Sequence, residues 1–200
     1  MQTKRLMAVA MLALAGVTSN ATLVTIDNSN NPTTSKFGIW NTFDVVDPSF
    51  NLGNTDLSWI DINDGSALSF TFTVDAGYTG KLTVVDAGFS GDRFTVFSGI
   101  SSLGNSSAAV NSYPNSIGLD FDAALANSNF SRGIYELAAG TYTITGSLLT
   151  SALDDTNSPL NSTVGALRVD VSPVPLPAAA LLLLNGLGVF GFAARRRATR

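Results

Sequence analysis

Oxygen-bearing side chains that could hold a cation are concentrated in one short stretch of the chain. Asp56, Asp61, Asn63 and Asp64 fall within nine residues. Carboxylate and amide oxygens are the ligands that Ca²⁺ prefers, so this spacing predicts a calcium site. The loop that starts at Asp61 departs from the EF-hand pattern, because Gly65 is its fifth residue and not its sixth. Asn-Asp-Gly is also a common hairpin turn, and this alternative stays open.

A second group of charged residues surrounds a glycine-rich turn. Asp86 precedes the segment Gly88–Gly91, and Asp92 and Arg93 follow it. Asp92 and Arg93 could orient a ligand at the loop tip, or Arg93 could pair with Asp86 on the surface. The third interpretation is a turn stabilised by its own aspartate side chains. A glycosidase would need two carboxylates across a cleft, and nothing in the sequence selects two.

Aromatic side chains are the other candidates for ligand contact, because sugar faces stack on aromatic planes. Trp40 is the predicted ligand-binding residue, with packing at the edge of the core as the alternative. Tyr78 and Tyr113 are weaker candidates of the same kind. Trp59 lies in an apolar segment, which predicts a place in the core.

The composition excludes several functions. The chain has neither His nor Cys, so Ser-His-Asp triads, thiol nucleophiles, ordinary zinc sites and disulfides are all excluded. Residues 22–172 contain five basic and 15 acidic residues, a net charge of −10. Nucleic-acid binding needs clustered Lys and Arg, whereas an acidic domain favours divalent cations. We predict no enzyme activity and no cofactor other than Ca²⁺.

Alternation of apolar and polar residues organises this central region. The period of two in 68–74, 141–145 and 167–171 is that of strands with one buried face. Further strands are predicted at 23–26, 57–60, 81–85, 93–97, 117–119 and 133–137, and one helical turn at 122–127. Many short strands separated by turn residues predict an all-β fold, an antiparallel β-sandwich of the jelly-roll type.

The N-terminus has the pattern of a secretory signal peptide. Lys4 and Arg5 precede 12 apolar residues, and Ser19 and Ala21 are spaced as in a cleavage site for signal peptidase. We therefore predict a signal-peptide helix in residues 1–21 and export of the mature chain. An uncleaved anchor is the alternative, although 12 apolar residues are too few for a comfortable membrane span.

The C-terminus combines three features in order. Residues 173–177 form a proline-rich linker, and residues 178–194 are free of charge, which predicts a short transmembrane helix. The tail 195–200 begins with Arg195, Arg196 and Arg197, a basic cluster that holds this end in the cytoplasm. We therefore expect the body of the protein on the opposite side of the membrane from the cytoplasm, in agreement with the signal peptide. A plain membrane anchor is one interpretation.

A resemblance gives a second interpretation. Val174, Pro175, Leu176, Pro177 and Ala178, followed by the apolar segment and the arginines, resemble the VPLPA variant of the PEP-CTERM sorting signal of Gram-negative bacteria. The segments 82–97 and 130–144 are similar to stretches of small PEP-CTERM proteins, with Tyr142 where His is usual. The resemblance implies an exosortase-type protease as partner, an inner-membrane intermediate, and a link to exopolysaccharide and biofilm.

These observations lead to one main functional prediction and two alternatives. We predict a non-enzymatic, exported protein of the cell surface or extracellular matrix, associated with exopolysaccharide, in which residues 22–172 form the single β-sandwich domain. The first alternative is a carbohydrate-binding module that could depend on Ca²⁺. The second is a surface glycoside hydrolase.

Overall fold

The computed structural model describes residues 21–28, 34–49 and 56–175. The predicted signal peptide except Ala21, the transmembrane segment 178–194, the arginine cluster and Leu176–Ala178 of the sorting motif lie outside these residues. Within the described ranges, no helix is long and apolar enough to cross a membrane.

Nine strands and one short helix make up the described part of the chain. Strands β1 to β6 precede the helix α1, and β7 to β9 follow it. Their bounds are β1 Thr22–Thr25, β2 Asn41–Val45, β3 Leu68–Val74, β4 Tyr78–Asp86, β5 Arg93–Ser98, β6 Ser101–Asn105, α1 Phe121–Ala126, β7 Arg132–Leu137, β8 Gly140–Thr150 and β9 Thr163–Pro173.

The strands form two sheets. One has the order β1-β3-β8-β5-β6 and the other the order β2-β9-β4-β7. Strands β2 to β9 pair as nested couples, β2 with β9, β3 with β8, β4 with β7 and β5 with β6, all antiparallel. This nesting is the strand order of a jelly roll. The prediction of a β-sandwich is therefore confirmed. The prediction of purely antiparallel pairing is wrong for β1, which runs parallel to β3.

The core lies between the sheets and follows the predicted alternation. Phe70, Phe72 and Val74 of β3 are buried, and the residues between them are more exposed. At the centre, Phe43 of β2 stacks on Trp59 with 3.8 Å between the ring centroids. Trp59 is fully buried, as predicted. Burial of large aromatic rings from both sheets holds this disulfide-free fold together.

Two of the predicted strands do not form, and two strands that do form were not predicted. Residues 57–60 are held by isolated bridges and do not form a strand, while residues 117–119 form a turn. Strands β2 and β6 were not predicted, because their short sequences carry few apolar residues. The helical turn is confirmed with a shift of one residue: Asp120 caps it by accepting a hydrogen bond from the Ala123 N–H at 2.9 Å.

Candidate functional site

A groove opens at one edge of the sandwich, where β1 and β3 of the first sheet face β2 of the second. Its volume is about 310 Å³. We call it the edge groove. The side chains that give it chemical character are Trp40, Thr42, Asp44, Asp61 and Asn63, with Ile60 and Phe70 among its apolar residues.

The segment that carries Asp61 is fixed by the burial of its neighbour Trp59. The Trp59 N–H donates to the Gly146 carbonyl of β8 at 2.9 Å, which ties the segment to the first sheet. Ile60 and Asp44 exchange two backbone hydrogen bonds, at 2.8 and 3.1 Å, which tie it to β2 of the second sheet. This double attachment brings Asp61 next to Asp44.

The two carboxylates of the groove have different environments. Partial burial and the nearby charge of Asp61 raise the pKa of Asp44 from 3.8 to about 6. Asp61 Oδ1 accepts hydrogen bonds from the backbone N–H of Asn63 at 2.9 Å and from its side-chain amide at 2.7 Å. Asp44 was not predicted as a site residue. The sequence feature that marks Asp44 is a single carboxylate between two apolar residues, Phe43 and Val45.

Trp40 is held in a fixed orientation at this groove. Its indole N–H donates to Asp122 Oδ1 at 3.0 Å, and the Arg168 guanidinium lies 4.5 Å from the ring centroid. Arg168 also forms ion pairs with Asp122 at 3.2 Å and with Asp170 at 3.3 Å. The half-buried ring therefore both packs at the edge of the fold and lines the groove. Ligand binding by Trp40 stays a prediction.

The predicted calcium residues are only partly brought together. Asp61 and Asn63 line the groove, whereas Asp64 accepts a hydrogen bond from the Ser66 N–H at 2.9 Å and Asp56 one from the Ser58 N–H at 3.0 Å. These bonds are those of aspartate-stabilised turns. Among the described residues, no group of three acidic, His or Cys side chains could hold a metal ion. The calcium site at 56–64 stays a prediction.

The two aspartates that flank the turn at 88–91 lie inside the protein and not at its surface. Asp86 and Asp92 are 0% and 1% exposed, and Arg93 does not pair with Asp86, because its guanidinium donates to the carbonyls of Ser106 and Ser107. Asp92 Oδ1 accepts from the Ala152 N–H at 2.8 Å. Neither carboxylate oxygen of Asp86 has a hydrogen bond of normal geometry to any of the described residues. We call Asp86 and Asp92 the buried carboxylate pair.

Burial dominates the electrostatics of this pair. It raises the pKa of Asp86 to about 9, together with the charge of Asp92. Burial also raises the pKa of Asp92, to about 6, and the hydrogen bond from Ala152 opposes that rise. The sequence signal of this burial is the apolar segment Val84-Val85 immediately before Asp86.

Comparison with known proteins gives only weak likenesses. No protein-family model matches the chain, and no curated protein matches its sequence. It is similar to the pre-peptidase C-terminal domain of a collagenase from Bacillus anthracis, with 9% identity and a TM-score of 0.36, over 76% of this chain and 96% of that one. It is similar also to the C-terminal CBM6 of LamC, a marine laminarinase from Zobellia galactanivorans, with 14% identity and a TM-score of 0.23, over 64% and 99%. At these scores neither likeness carries an argument about the site.

Proposed function

We propose that this chain is an exported, non-catalytic module of the cell surface or extracellular matrix that docks on exopolysaccharide through its edge groove. The observation that carries the proposal is the meeting of an oriented indole, Trp40, with the carboxylates of Asp44 and Asp61 and the amide of Asn63 in one groove. These residues come from two separate segments joined by the Asp44–Ile60 bridge.

The chemistry of the groove fits a sugar chain. An aromatic plane stacks on the apolar face of a pyranose, and carboxylate and amide oxygens accept hydrogen bonds from its hydroxyls. The two carboxylates also select against uronic acids, because like charges in one groove repel. We therefore expect the groove to favour a neutral polysaccharide.

Direct binding to purified exopolysaccharide tests this proposal. In affinity electrophoresis, Trp40→Ala should weaken binding about tenfold, since stacking on one aromatic ring contributes about 1–2 kcal/mol. Tyr78→Ala is the matched control, because Tyr78 is 42% exposed and lies outside the groove. Equal binding by the wild type and Trp40→Ala, or no binding at all with or without Ca²⁺, would reject the groove as the docking site.

Delivery to the surface rests on the two ends of the sequence. We propose removal of residues 1–21 by signal peptidase and removal of the C-terminal tail by an exosortase-type protease, after a stage anchored in the inner membrane. Intact-mass analysis of the mature protein should show loss of residues 1–21 and of everything beyond about Pro177. A mature species that keeps Ala178–Arg200 would identify the tail as a plain anchor.

A glycoside hydrolase is the second candidate, and one observation favours it. Asp44, whose pKa is raised to about 6, lies beside Asp61 in the groove, and a carboxyl group with a raised pKa next to a second carboxyl group can serve as a general acid. Release of reducing ends from exopolysaccharide by the wild type, with loss of release in Asp44→Asn, would establish it. Binding without release is the result that we expect.

A further inference from the structure

The buried carboxylate pair lies where three segments meet at one end of the sandwich. Asp86 is the last residue of β4, and Asp92 directly precedes β5. Asp92 accepts its hydrogen bond from Ala152, in the segment between β8 and β9. Gly91 is pressed against the same segment, since a Cβ there would lie 2.9 Å from the Ala152 Cα.

Asp86 is the unexplained member of the pair. Both of its carboxylate oxygens are buried, and within the part of the chain that the structure describes neither has a hydrogen bond of normal geometry. The N–H groups of Ala87, Gly91 and Asp92 are near enough to oppose the rise of its pKa, yet none donates a hydrogen bond of normal geometry. A buried polar group without a partner is costly, and a second carboxylate beside it increases that cost.

Protonation relieves only part of this cost. A neutral carboxyl group still has an O–H to donate, and this O–H finds no acceptor among the described residues. Arg93, which follows Asp92 in the sequence, does not pair with Asp86, because its guanidinium donates to the carbonyls of Ser106 and Ser107 at 3.2 and 3.1 Å. A small cation that fits a site closed to solvent would supply a partner for both carboxylates at once.

We propose that Asp86 and Asp92 together bind one Ca²⁺ ion, which links the end of β4 and the start of β5 to the segment between β8 and β9. Hard oxygen ligands select Ca²⁺ or Mg²⁺, and the absence of His and Cys from the chain removes the ligands that zinc and copper prefer.

Ca²⁺ suits the site better than Mg²⁺. Mg²⁺ keeps several of its waters and demands octahedral geometry, whereas Ca²⁺ accepts backbone carbonyls in a flexible shell of six to eight oxygens. A pair that is 0% and 1% exposed has little room for bound water. Two carboxylates do not fill such a shell, so hydroxyl and carbonyl oxygens must complete it. The Thr163 hydroxyl, which interacts with Asp92, is one candidate.

Thermal unfolding of the full-length chain in detergent, with calcium chloride or with a chelator, tests the proposal. Titration calorimetry with calcium chloride should give one ion per chain. Free Ca²⁺ at about 100-fold above its Kd should raise the Tm by about 5–10 °C, and magnesium chloride should raise it much less. Absence of calcium binding by the wild type would overturn the proposal.

Two isosteric variants locate the ion. Asp86→Asn should abolish the calcium-dependent rise in Tm while its Tm in chelator equals or exceeds that of the wild type, because asparagine brings no ionisable group into the closed site. Asp64→Asn, in the exposed turn, should keep the full response. The opposite pattern would assign the ion to residues 61–64 and overturn the proposal. If Asp86→Asn does not fold, Asp92→Asn, which keeps an oxygen for the Ala152 N–H, serves in its place.

Discussion

Two groups of acidic residues in this molecule differ in how closely they lie in the sequence and in how their carboxylates are hydrogen-bonded. The residues of the group at 56–64 lie close together in the sequence. Their carboxylates accept hydrogen bonds from the backbone of their own turns: Asp61 accepts from the Asn63 N–H and Asp64 from the Ser66 N–H. The two members of the buried carboxylate pair lie six positions apart in the sequence, and Asp86 has no hydrogen bond of normal geometry among residues 21–28, 34–49 and 56–175.

The comparison shows how the spacing of carboxylates in the sequence relates to their need for a partner. An aspartate in a turn satisfies nearby N–H groups and stays accessible to water, so it needs no ion. An aspartate at the end of a central strand is enclosed by other segments, which make its charged form costly. We therefore expect burial, rather than the number of neighbouring acids, to mark a cation site in this fold.

Truncation of one aspartate to alanine in each group should give the largest difference in the free energy of unfolding. In saturating Ca²⁺, Asp92→Ala should lower the free energy of unfolding by about 2–4 kcal/mol, because it removes an ion ligand and leaves the Ala152 N–H without an acceptor. Asp64→Ala removes one exposed turn bond and should cost less than about 1 kcal/mol. Urea unfolding measures both. Similar losses in the two variants would contradict the contrast.

A substitution beneath the edge groove should have a smaller effect and should leave the carboxylate pair unaffected. A Cβ at position 146 would overlap the Trp59 indole. We expect Gly146→Ala to cost about 1–3 kcal/mol and to weaken exopolysaccharide binding, because displaced Trp59 shifts the segment carrying Asp61. Calcium titration of the same variant is the control, and loss of its calcium binding would show that the two regions are coupled.

The smallest effect is the pH dependence due to Asp44. Its pKa is about 6 in the folded chain against 3.8 as the ordinary value, so the folded state holds the proton more tightly. Stability should therefore decrease as pH rises from about 4 to 6, by less than about 1 kcal/mol because the group is partly solvated. Unfolding at a series of pH values should show a flatter profile for Asp44→Asn. An unchanged profile would contradict the raised pKa.

Local patterns predicted the strands better than they predicted the sites. Alternation identified β3 and β9, since the buried face of a strand leaves its period in the sequence. The edge groove has no such local signature, because Asp44 and Asp61 meet only through the bridge between β2 and Ile60. The burial of Asp86 depends likewise on its pairing with Gly165 of β9, a long-range contact that no window of sequence contains.

The position of β9 has a mechanical consequence. This last described strand lies between β2 and β4, with five paired residues on one side and nine on the other. A pull on its C-terminal end acts along the strand and loads both ladders of hydrogen bonds in shear, so that many bonds must break together. A chain held through its C-terminal end at a cell surface would therefore transmit drag forces into the centre of the sheet, where the fold resists them best.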